Sequence, residues 1–170
     1  MPHPAALEID DLLADCDVQR TRSSGPGGQH RNKVETAVRL THRPTGLSVL
    51  AGERRSQAQN HAAAVARLRV QLALKARHPV GAVQGEPIPS ARWSARVKAG
   101  RLAINPKHAD FPALLAEAMD HLEADGYDVA VSASALSVST SQLVKLLRHE
   151  PAALEQVNRE RKARGLRGFT

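Results

Sequence analysis

The most informative residues of this chain form one short run, Gly25-Pro26-Gly27-Gly28-Gln29-His30. Glycine reaches positive φ without a steric penalty and lets the backbone approach another molecule closely, although it costs entropy on folding. Two adjacent glycines followed by a single amide side chain therefore indicate a loop whose backbone is built for contact. The run is not a dinucleotide fingerprint, because His30 stands where the third glycine is required, and no Gly-Lys-Ser/Thr follows as in a phosphate-binding P-loop.

The charge around this loop points to a phosphate-rich partner. No Asp or Glu occurs from position 18 to position 34. Four basic residues lie in the same stretch: Arg20, Arg22, Arg31 and Lys33. Such a loop carries a strongly positive local field, which attracts nucleic acid. The whole chain has 24 Lys and Arg against 17 Asp and Glu, a net charge of +7 and a pI near 10.3, which suits RNA, DNA or an acidic surface alike.

The loop and two later segments together resemble the catalytic domain of class I peptide chain release factors. The segments are residues 22–33, which contain Gly27-Gly28-Gln29, then Thr41-His42-Arg43-Pro44-Thr45-Gly46, and finally Arg55-Ser56-Gln57-Ala58-Gln59-Asn60. A bare Gly-Gly-Gln occurs often by chance, whereas the three segments in the family's order and near its spacing are specific. The resemblance covers roughly residues 5 to 77. Pro26 and Arg31 depart from the commonest family residues, and the Pro form also occurs in the organellar rescue branch.

This resemblance implies hydrolysis of the ester that joins a nascent peptide to transfer RNA. Attack of water on the ester creates an oxyanion, and a preorganised donor aimed at it contributes on the order of 100- to 1,000-fold in rate. In the family the donor is the main-chain N–H of the glutamine, here Gln29, whose side chain helps to admit and orient water. Gly27 and Gly28 would allow the backbone conformation and the close approach. No cofactor, metal or titratable pair is required, and we expect none.

The resemblance also implies the partners. They are the ribosome at the peptidyl transferase centre of its large subunit, ribosomal RNA and peptidyl-tRNA, and a methyltransferase that would modify Gln29 is one further implied partner. The residues expected to contact RNA are polar or basic ones around the loop and in the C-terminal part: Arg20, Arg22, His30, Arg31, Asn32, Lys33, Lys145, Arg159, Arg161, Lys162, Arg164 and Arg167. We expect the protein in the cytoplasm, since the chain has one cysteine and no apolar run of membrane-spanning length. We also expect it to be a monomer.

The sequence around the loop predicts an α+β fold. It consists of a small sheet and a helix packed on it, and this domain bears the Gly-Gly-Gln loop. A short helix is predicted over residues 9–16 and an extended segment over 18–22. Alternating polarity from Val34 to Leu40 predicts a half-buried strand, and Pro44-Thr45-Gly46 predicts a turn into a returning strand. Residues 56–77 contain no Gly or Pro and predict a long helix. Its inward stripe is expected at Ala62, Val65, Ala66, Arg69, Leu72 and Ala76.

The rest of the chain predicts a different kind of structure. We expect a catalytic domain at 1–77, a linker rich in Pro and Gly at 78–92, a small all-helical module at 93–157 and a basic tail at 158–170. The tail either orders on RNA or is a solvated terminus. Pro112 should start a helix. Residues 129–147 resemble a helix-turn-helix, with Leu143 and Leu146 facing inward and a capping box that starts the second helix after Ser139. This hairpin either contacts nucleic acid or is a packed scaffold or a protein-docking surface. Six acidic residues and no Lys or Arg lie between His108 and Val144, so that face should point away from phosphate.

Two function classes fit this sequence. Codon-reading release factors are much longer and carry a separate codon-recognition domain, for which this chain has no room. We therefore interpret the chain as an enzyme, a codon-independent peptidyl-tRNA hydrolase that rescues stalled ribosomes or acts on large subunits. The alternative is a non-enzymatic RNA- or ribosome-binding protein in which the helical module binds and the loop is vestigial. Release of peptide from a stalled ribosome distinguishes the two.

Overall fold

A computed structural model of the chain describes residues 2–21, 36–81, 85 and 87–169. The described residues of Leu7–Leu72 form one compact unit, here called the sheet unit. Those of Met1–Ala6 and Ala73–Thr170 form a second, here called the helical unit. The predicted α+β class is confirmed, because a small sheet and several helices are present. None of the described helices is long and apolar enough to cross a membrane.

The sheet unit is built on three antiparallel strands in the order β1-β2-β3. It starts with α1 (Ile9–Ala14) and continues through β1 (Cys16–Thr21), β2 (Ala37–His42) and β3 (Ser48–Ala51). Val38 and Leu40 of β2 are buried while Arg39 between them is exposed, which is the period-two alternation that the sequence predicted. Ala37, on the same face as Arg39, departs from it because it is also buried, and residues 34 and 35 lie outside the described residues. In the register, Thr21 of β1 lies opposite Ala37 of β2.

The long helix α2 (Gln57–Lys75) begins after Ser56, which accepts from Gln59 N through its hydroxyl oxygen (3.4 Å) and from Asn60 N through its carbonyl (3.0 Å). The division between the two units falls inside this helix, after Leu72. Its buried stripe corrects our prediction. Val65, Arg69 and Leu72 are buried as predicted, but Ala62 and Ala66 are exposed and Ala76 lies beyond the helix. Alanine is compatible with either face, so the bulky Leu68 and Leu72 decide which face is buried.

The helical unit surrounds a single tryptophan. Its elements are a 3-10 turn (Pro4–Ala6), α3 (Ala91–Ser94), β4 (Val97–Lys98), β5 (Arg101–Leu102), α4 (Phe111–Ala124), α5 (Val129–Ala135), α6 (Thr140–Arg148) and α7 (Pro151–Ala163). Trp93 is fully buried and donates from its indole N–H to Leu136 O at 2.8 Å. Pro112 lies in the first turn of α4, as predicted. The hairpin β4–β5 was not predicted; Ala99 and Gly100 both have positive φ, the requirement of a tight two-residue turn.

Helices α5 and α6 form a hairpin within residues 129–148. The side chain of Asp128 caps α5 by accepting from Ala130 N (3.0 Å) and Val131 N (3.3 Å). Ser139 caps α6 as predicted, accepting from Gln142 N at 3.3 Å. Ser137 between them has a φ of 55°, at the position where helix-turn-helix motifs usually carry glycine. Leu143 and Leu146 are buried in the core, which agrees with the inner face that we predicted.

The C-terminal segment differs from the open tail that we predicted from residue 158. Helix α7 continues to Ala163, and the next residues fold back on it. Gly165 (φ 73°) donates to Lys162 O at 3.0 Å while Leu166 N donates to Arg161 O at 2.8 Å, the pair of hydrogen bonds that ends a helix in a Schellman motif. Gly165 therefore stops α7 instead of loosening the chain end.

Candidate functional site

The glycine loop lies outside the described residues. This applies to the predicted catalytic residues Gly27, Gly28 and Gln29. It also applies to five residues expected to bind RNA: Arg22, His30, Arg31, Asn32 and Lys33. The structure describes the segments on either side of them. We use the term loop base for Thr21, Thr36 and Ala37, of which Thr21 and Ala37 are paired across the β1–β2 ladder.

One fully buried side chain, Asn60 in the first turn of α2, binds the loop base. Its amide nitrogen donates to Thr36 O at 2.7 Å and to Arg54 O at 2.9 Å. Its amide oxygen accepts from Arg54 N at 2.9 Å. Asn60 is the last residue of the third release-factor-like segment, and the sequence alone did not suggest a role for it. The structure gives it one, a link between the loop base and the turn before α2.

That turn, residues 52–56, carries two exposed arginines, Arg54 and Arg55. The acidic residue beside them, Glu53, is paired with Arg67 of α2 at 2.6 Å. The hydrogen bond from Arg67 lowers the pKa of Glu53. Arg67 also donates to Leu50 O of β3 at 2.6 Å, so the same guanidinium binds both the turn and the sheet. Arg20 on β1 is exposed as well, and the sheet unit thus presents cations on segments that adjoin the loop base.

The second release-factor-like segment, residues 41–46, holds the start of β1. The Arg43 guanidinium donates to Ala14 O (2.5 Å), to Cys16 O (3.1 Å) and to the Asp17 carboxylate (3.0 Å). His42 is buried, and its ring Nδ1 lies 2.8 Å from the Thr45 hydroxyl. Burial lowers the pKa of His42. These contacts give the segment a structural task, since its side chains bind other parts of the sheet unit.

The predicted RNA-contacting residues of the helical unit fall into two groups. Lys145 on α6, Arg159 and Lys162 on α7, and Arg167 are exposed. Arg161 is only half-exposed and is used internally, because it donates to Tyr127 O (2.5 Å) and Arg167 O (2.8 Å) and covers the Phe169 ring. Arg164 pairs with Glu160 at 2.7 Å and lies over the Tyr127 ring. The first group is available to a partner. The second stabilises the end of α7, although Arg164 is also exposed.

Acidic residues of the helical unit also have internal partners. Burial alone would raise the pKa of Asp110, but the hydrogen bond and charge of Arg96, 2.6 Å away, lower it below its usual value. Glu117 accepts from Ser90 N (2.7 Å) and Ser90 Oγ (2.6 Å), and Asp125 accepts from Ser132 Oγ at 2.8 Å. The acidic block that we expected to turn away from phosphate therefore completes the fold of this unit.

A cavity of about 400 Å³ within the helical unit is lined partly by ionisable residues, among them His3, His78, Asp120 and His121. Asp120 is buried and accepts from His78 N at 3.1 Å. Burial raises the pKa of Asp120 to about 7. Burial also lowers the pKa of His3 to about 4. Nothing in the sequence pattern indicated either group.

The chain belongs to the RF-1 domain family, whose pattern matches residues 6–97. The match extends beyond residue 77, where the resemblance that we noticed in the sequence ends, and it includes the glycine loop, the 41–46 segment and Asn60. This confirms the resemblance to release factors.

Similar proteins carry the same kind of name. Peptide chain release factor PrfB1, chloroplastic, of Arabidopsis thaliana is 40% identical over 97 residues, which is 55% of this chain and 21% of that protein. Peptide chain release factor 1 of Maricaulis maris is 47% identical over 72 residues, 42% of this chain and 20% of that protein. Its counterpart in Caulobacter vibrioides is 41% identical over 96 residues, 56% of this chain and 24% of that protein. The chain thus spans only about a fifth of the length of the curated relatives that it matches.

Proposed function

We propose that this chain hydrolyses peptidyl-tRNA on the ribosome. The observation that carries the proposal is the family match over residues 6–97, which contains Gly27-Gly28-Gln29 in its release-factor context. Relatives that share this region are named peptide chain release factors. The main-chain N–H of Gln29 stabilises the oxyanion, and Gly27 and Gly28 allow the backbone to approach the ester. The reaction is carboxylic ester hydrolysis by water.

The proposed partners are the peptidyl transferase centre of the large subunit, ribosomal RNA and peptidyl-tRNA. Cations on described residues support this set. Arg20 is exposed beside the loop base, and Lys145, Arg159, Lys162 and Arg167 are exposed in the helical unit. Basic side chains of this kind bind phosphate groups and release counterions from the RNA. Their contribution to the binding affinity is therefore large and decreases as the salt concentration rises. A methyltransferase that modifies Gln29 is part of the same proposal.

We also propose that the reaction is independent of a stop codon and rescues stalled ribosomes or large subunits. Residues 98–170 lie beyond the family match, and they contain α4–α7 with the exposed cations of α6 and α7. We assign this helical part, within the domain plan proposed from the sequence, to RNA contact and not to codon reading. The alternative is a ribosome-binding protein without hydrolase activity. The same exposed cations would bind RNA in that protein too.

The test uses the full chain and three substrates. These are ribosomes stalled on a truncated message, ribosomes with a stop codon in the decoding site, and large subunits that carry peptidyl-tRNA. Released peptide and co-sedimentation are measured in parallel. We expect release from the first or third substrate and no preference for the stop codon. Binding without release on all three would favour the non-enzymatic alternative. Release restricted to the stop-codon complex would refute codon independence.

A further inference from the structure

We propose that Asn60 is a positioning residue for the hydrolysis, because it fixes the backbone from which the Gln29 loop departs. This inference rests on the proposed function and adds a residue to it. Asn60 itself touches neither the ester nor the attacking water. It acts through Thr36, whose carbonyl it holds by a hydrogen bond of 2.7 Å.

Nearly all of the hydrogen-bonding groups of the Asn60 side-chain amide have a partner. A side-chain amide offers two N–H donors and one carbonyl acceptor with two lone pairs. Here the nitrogen serves two carbonyls from different segments, Thr36 O and Arg54 O, while the oxygen accepts from Arg54 N. The side chain is fully buried, so loss of any partner would leave a polar group unsatisfied in the interior. One side chain thus cross-links two stretches of backbone.

Thr36 lies on the C-terminal side of the glycine loop. It follows Gln29 by seven positions and precedes β2, which begins at Ala37. Thr21 and Ala37 are held by the β1–β2 ladder. The carbonyl of Thr36 lies just before that ladder and is bound by Asn60 instead. Among the described residues, this hydrogen bond is therefore the restraint nearest in sequence to Gln29 on the C-terminal side of the loop.

The other end of the cross-link is itself anchored. Asn60 binds both the N–H and the C=O of Arg54. The neighbouring Glu53 is paired with Arg67 at 2.6 Å, and Arg67 also donates to Leu50 O of β3. The Arg54 backbone is consequently tied to α2 and, through its neighbour, to the sheet. A displacement of Thr36 would therefore break its hydrogen bond to Asn60, because Asn60 is also held by the Arg54 backbone.

Positioning of this kind has a large kinetic consequence. A misplacement of about 1 Å by a change remote from the chemistry can lower a rate by roughly 100-fold. The oxyanion donor in the proposal is a backbone N–H, which has no side-chain torsion with which to compensate for a shifted chain. We therefore expect loss of the Asn60 bonds to reduce kcat and to leave ribosome binding nearly intact.

The decisive variant is Asn60→Asp, which keeps the size of the side chain and the oxygen that accepts from Arg54 N. It replaces the donor nitrogen with an oxygen that faces two carbonyls. Single-turnover peptide release is measured on stalled ribosomes over a range of factor concentrations. We expect kcat to fall by about 100-fold with a KM near the wild-type value. Asn60→Ala should behave in the same way and serves as the second variant.

The matched control is Leu68→Ala, two turns further along α2. Leu68 is fully buried and has an apolar side chain, so the change destabilises the sheet unit without removing a hydrogen bond from the loop base. Below its melting temperature this control should keep the wild-type kcat. If the Asn60 variants and Leu68→Ala lose activity only in proportion to their unfolded fraction, the role of Asn60 is structural and the inference is wrong.

A second readout does not depend on activity. The Arg54 N–H donates to Asn60, so amide exchange at Arg54 should be slow in the wild type and much faster in Asn60→Ala, with exchange in α2 unchanged. Equal exchange in both would overturn the cross-link itself. A wild-type protein that releases no peptide overturns the proposed function. A wild type that releases peptide while folded Asn60→Asp does so equally fast overturns the positioning inference alone.

Discussion

The sheet unit and the helical unit use polar side chains in different ways. In the sheet unit, Asn60 and Arg43 bind backbone carbonyls of other segments, at the loop base and at the start of β1. In the helical unit, side chains bind one another, as in Asp110 with Arg96 and Glu117 with Ser90, and also bind backbone carbonyls next to helices, as in Arg161 with Tyr127 O. The polar side chains of the sheet unit thus hold the backbone next to the glycine loop, whereas those of the helical unit connect helices and helix ends.

The same comparison applies to exposed charge. Arg54 and Arg55 are exposed on a turn whose acidic residue, Glu53, is already paired with Arg67. In the helical unit Arg161 and Arg164, which the sequence suggests as RNA contacts, stabilise the end of α7. A count of basic residues therefore overstates the surface that can bind RNA.

The largest effect is expected at the loop itself. Gln29→Pro removes the main-chain N–H and should abolish peptide release, because an oxyanion donor contributes on the order of 100- to 1,000-fold in rate. Gln29→Ala keeps that N–H and should lose less. Gly28→Val should resemble the proline change, since its Cβ restricts the backbone. All three should still sediment with ribosomes. Equal release by Gln29→Ala and Gln29→Pro would show that the backbone donor is not the active group.

Parts of this fold were predictable because single residues carry strong local signals. Alternation around Val38 and Leu40 predicts β2, Pro112 predicts the start of α4, and Ser139 predicts the cap of α6. Other parts carry no such signal. Strands of two residues, as in β4 and β5, are too short to show a period. Gly165 looks the same in a loose tail and in a helix stop until its hydrogen bonds are known.

Much the same limit applies to the candidate site. The sequence names Asn60 as part of a motif, but a polar residue near a helix start usually suggests a cap or an exposed side chain. Its burial depends on the meeting of residues 36, 54 and 60, of which the first is far from the others in the chain. The shifted pKa of Asp120 has the same origin, because burial by the tertiary fold causes it. Local sequence patterns do not indicate which distant segments come into contact.

A second prediction concerns the core of the helical unit. Leu143→Ala or Leu146→Ala should cost about 2–5 kcal/mol of stability, because both side chains are buried and the change leaves a cavity. Urea unfolding followed by the fluorescence of Trp93, the single tryptophan, reports on this unit. Lys145→Ala on the exposed face is the control and should change stability by less than about 0.5 kcal/mol. Similar losses in all three would contradict the assignment of the inner face.

A third prediction concerns pH. The pKa of Asp120 is about 7 in the folded chain and near 3.8 otherwise, so the folded state binds the proton more tightly. Its stabilising effect is full below pH 3.8 and is lost as the pH rises to about 7. Asp120→Asn should therefore stabilise the helical unit at pH 8 by at least about 1.4 kcal/mol, the equivalent of one pKa unit. The gain should vanish near pH 4. Melting curves at both pH values provide the measurement.

The pKa of His3 predicts the opposite pH dependence of stability and so provides an internal check. Its folded pKa is about 4 against an ordinary value of 6.5, so the unfolded chain binds the extra proton between these values. Stability from this group is complete above pH 6.5 and falls as the pH drops to about 4. In Asp120→Asn, the stability of the helical unit should therefore increase as the pH is raised from about 4 to 6.5. A variant whose stability still falls as the pH is raised through that interval would contradict both assignments.

The smallest effect is expected on the exposed face of α6 and α7. Lys145→Glu, and separately Arg159→Glu with Lys162→Glu, should leave folding unchanged and weaken ribosome binding. The salt dependence of the binding constant should flatten by about one unit for each phosphate group that the variant no longer binds. Peptide release at saturating factor should stay the same, because these residues lie outside the loop. Deletion of residues 158–170 is a poorer test, since Asn158 and Arg161 hold the end of α7.

The matched control for this face is Lys107→Glu, an exposed charge reversal in the segment before α4. It changes the net charge by the same amount as Lys145→Glu and lies on neither α6 nor α7. If Lys107→Glu weakens binding as much as Lys145→Glu, the effect is one of overall charge, and the helical unit has no defined RNA surface. If only the α6 and α7 variants flatten the salt dependence, their cations contact phosphate directly. The distinction in this unit between Arg161 and Arg164, which stabilise the end of α7, and the cations changed in these variants then has a functional meaning.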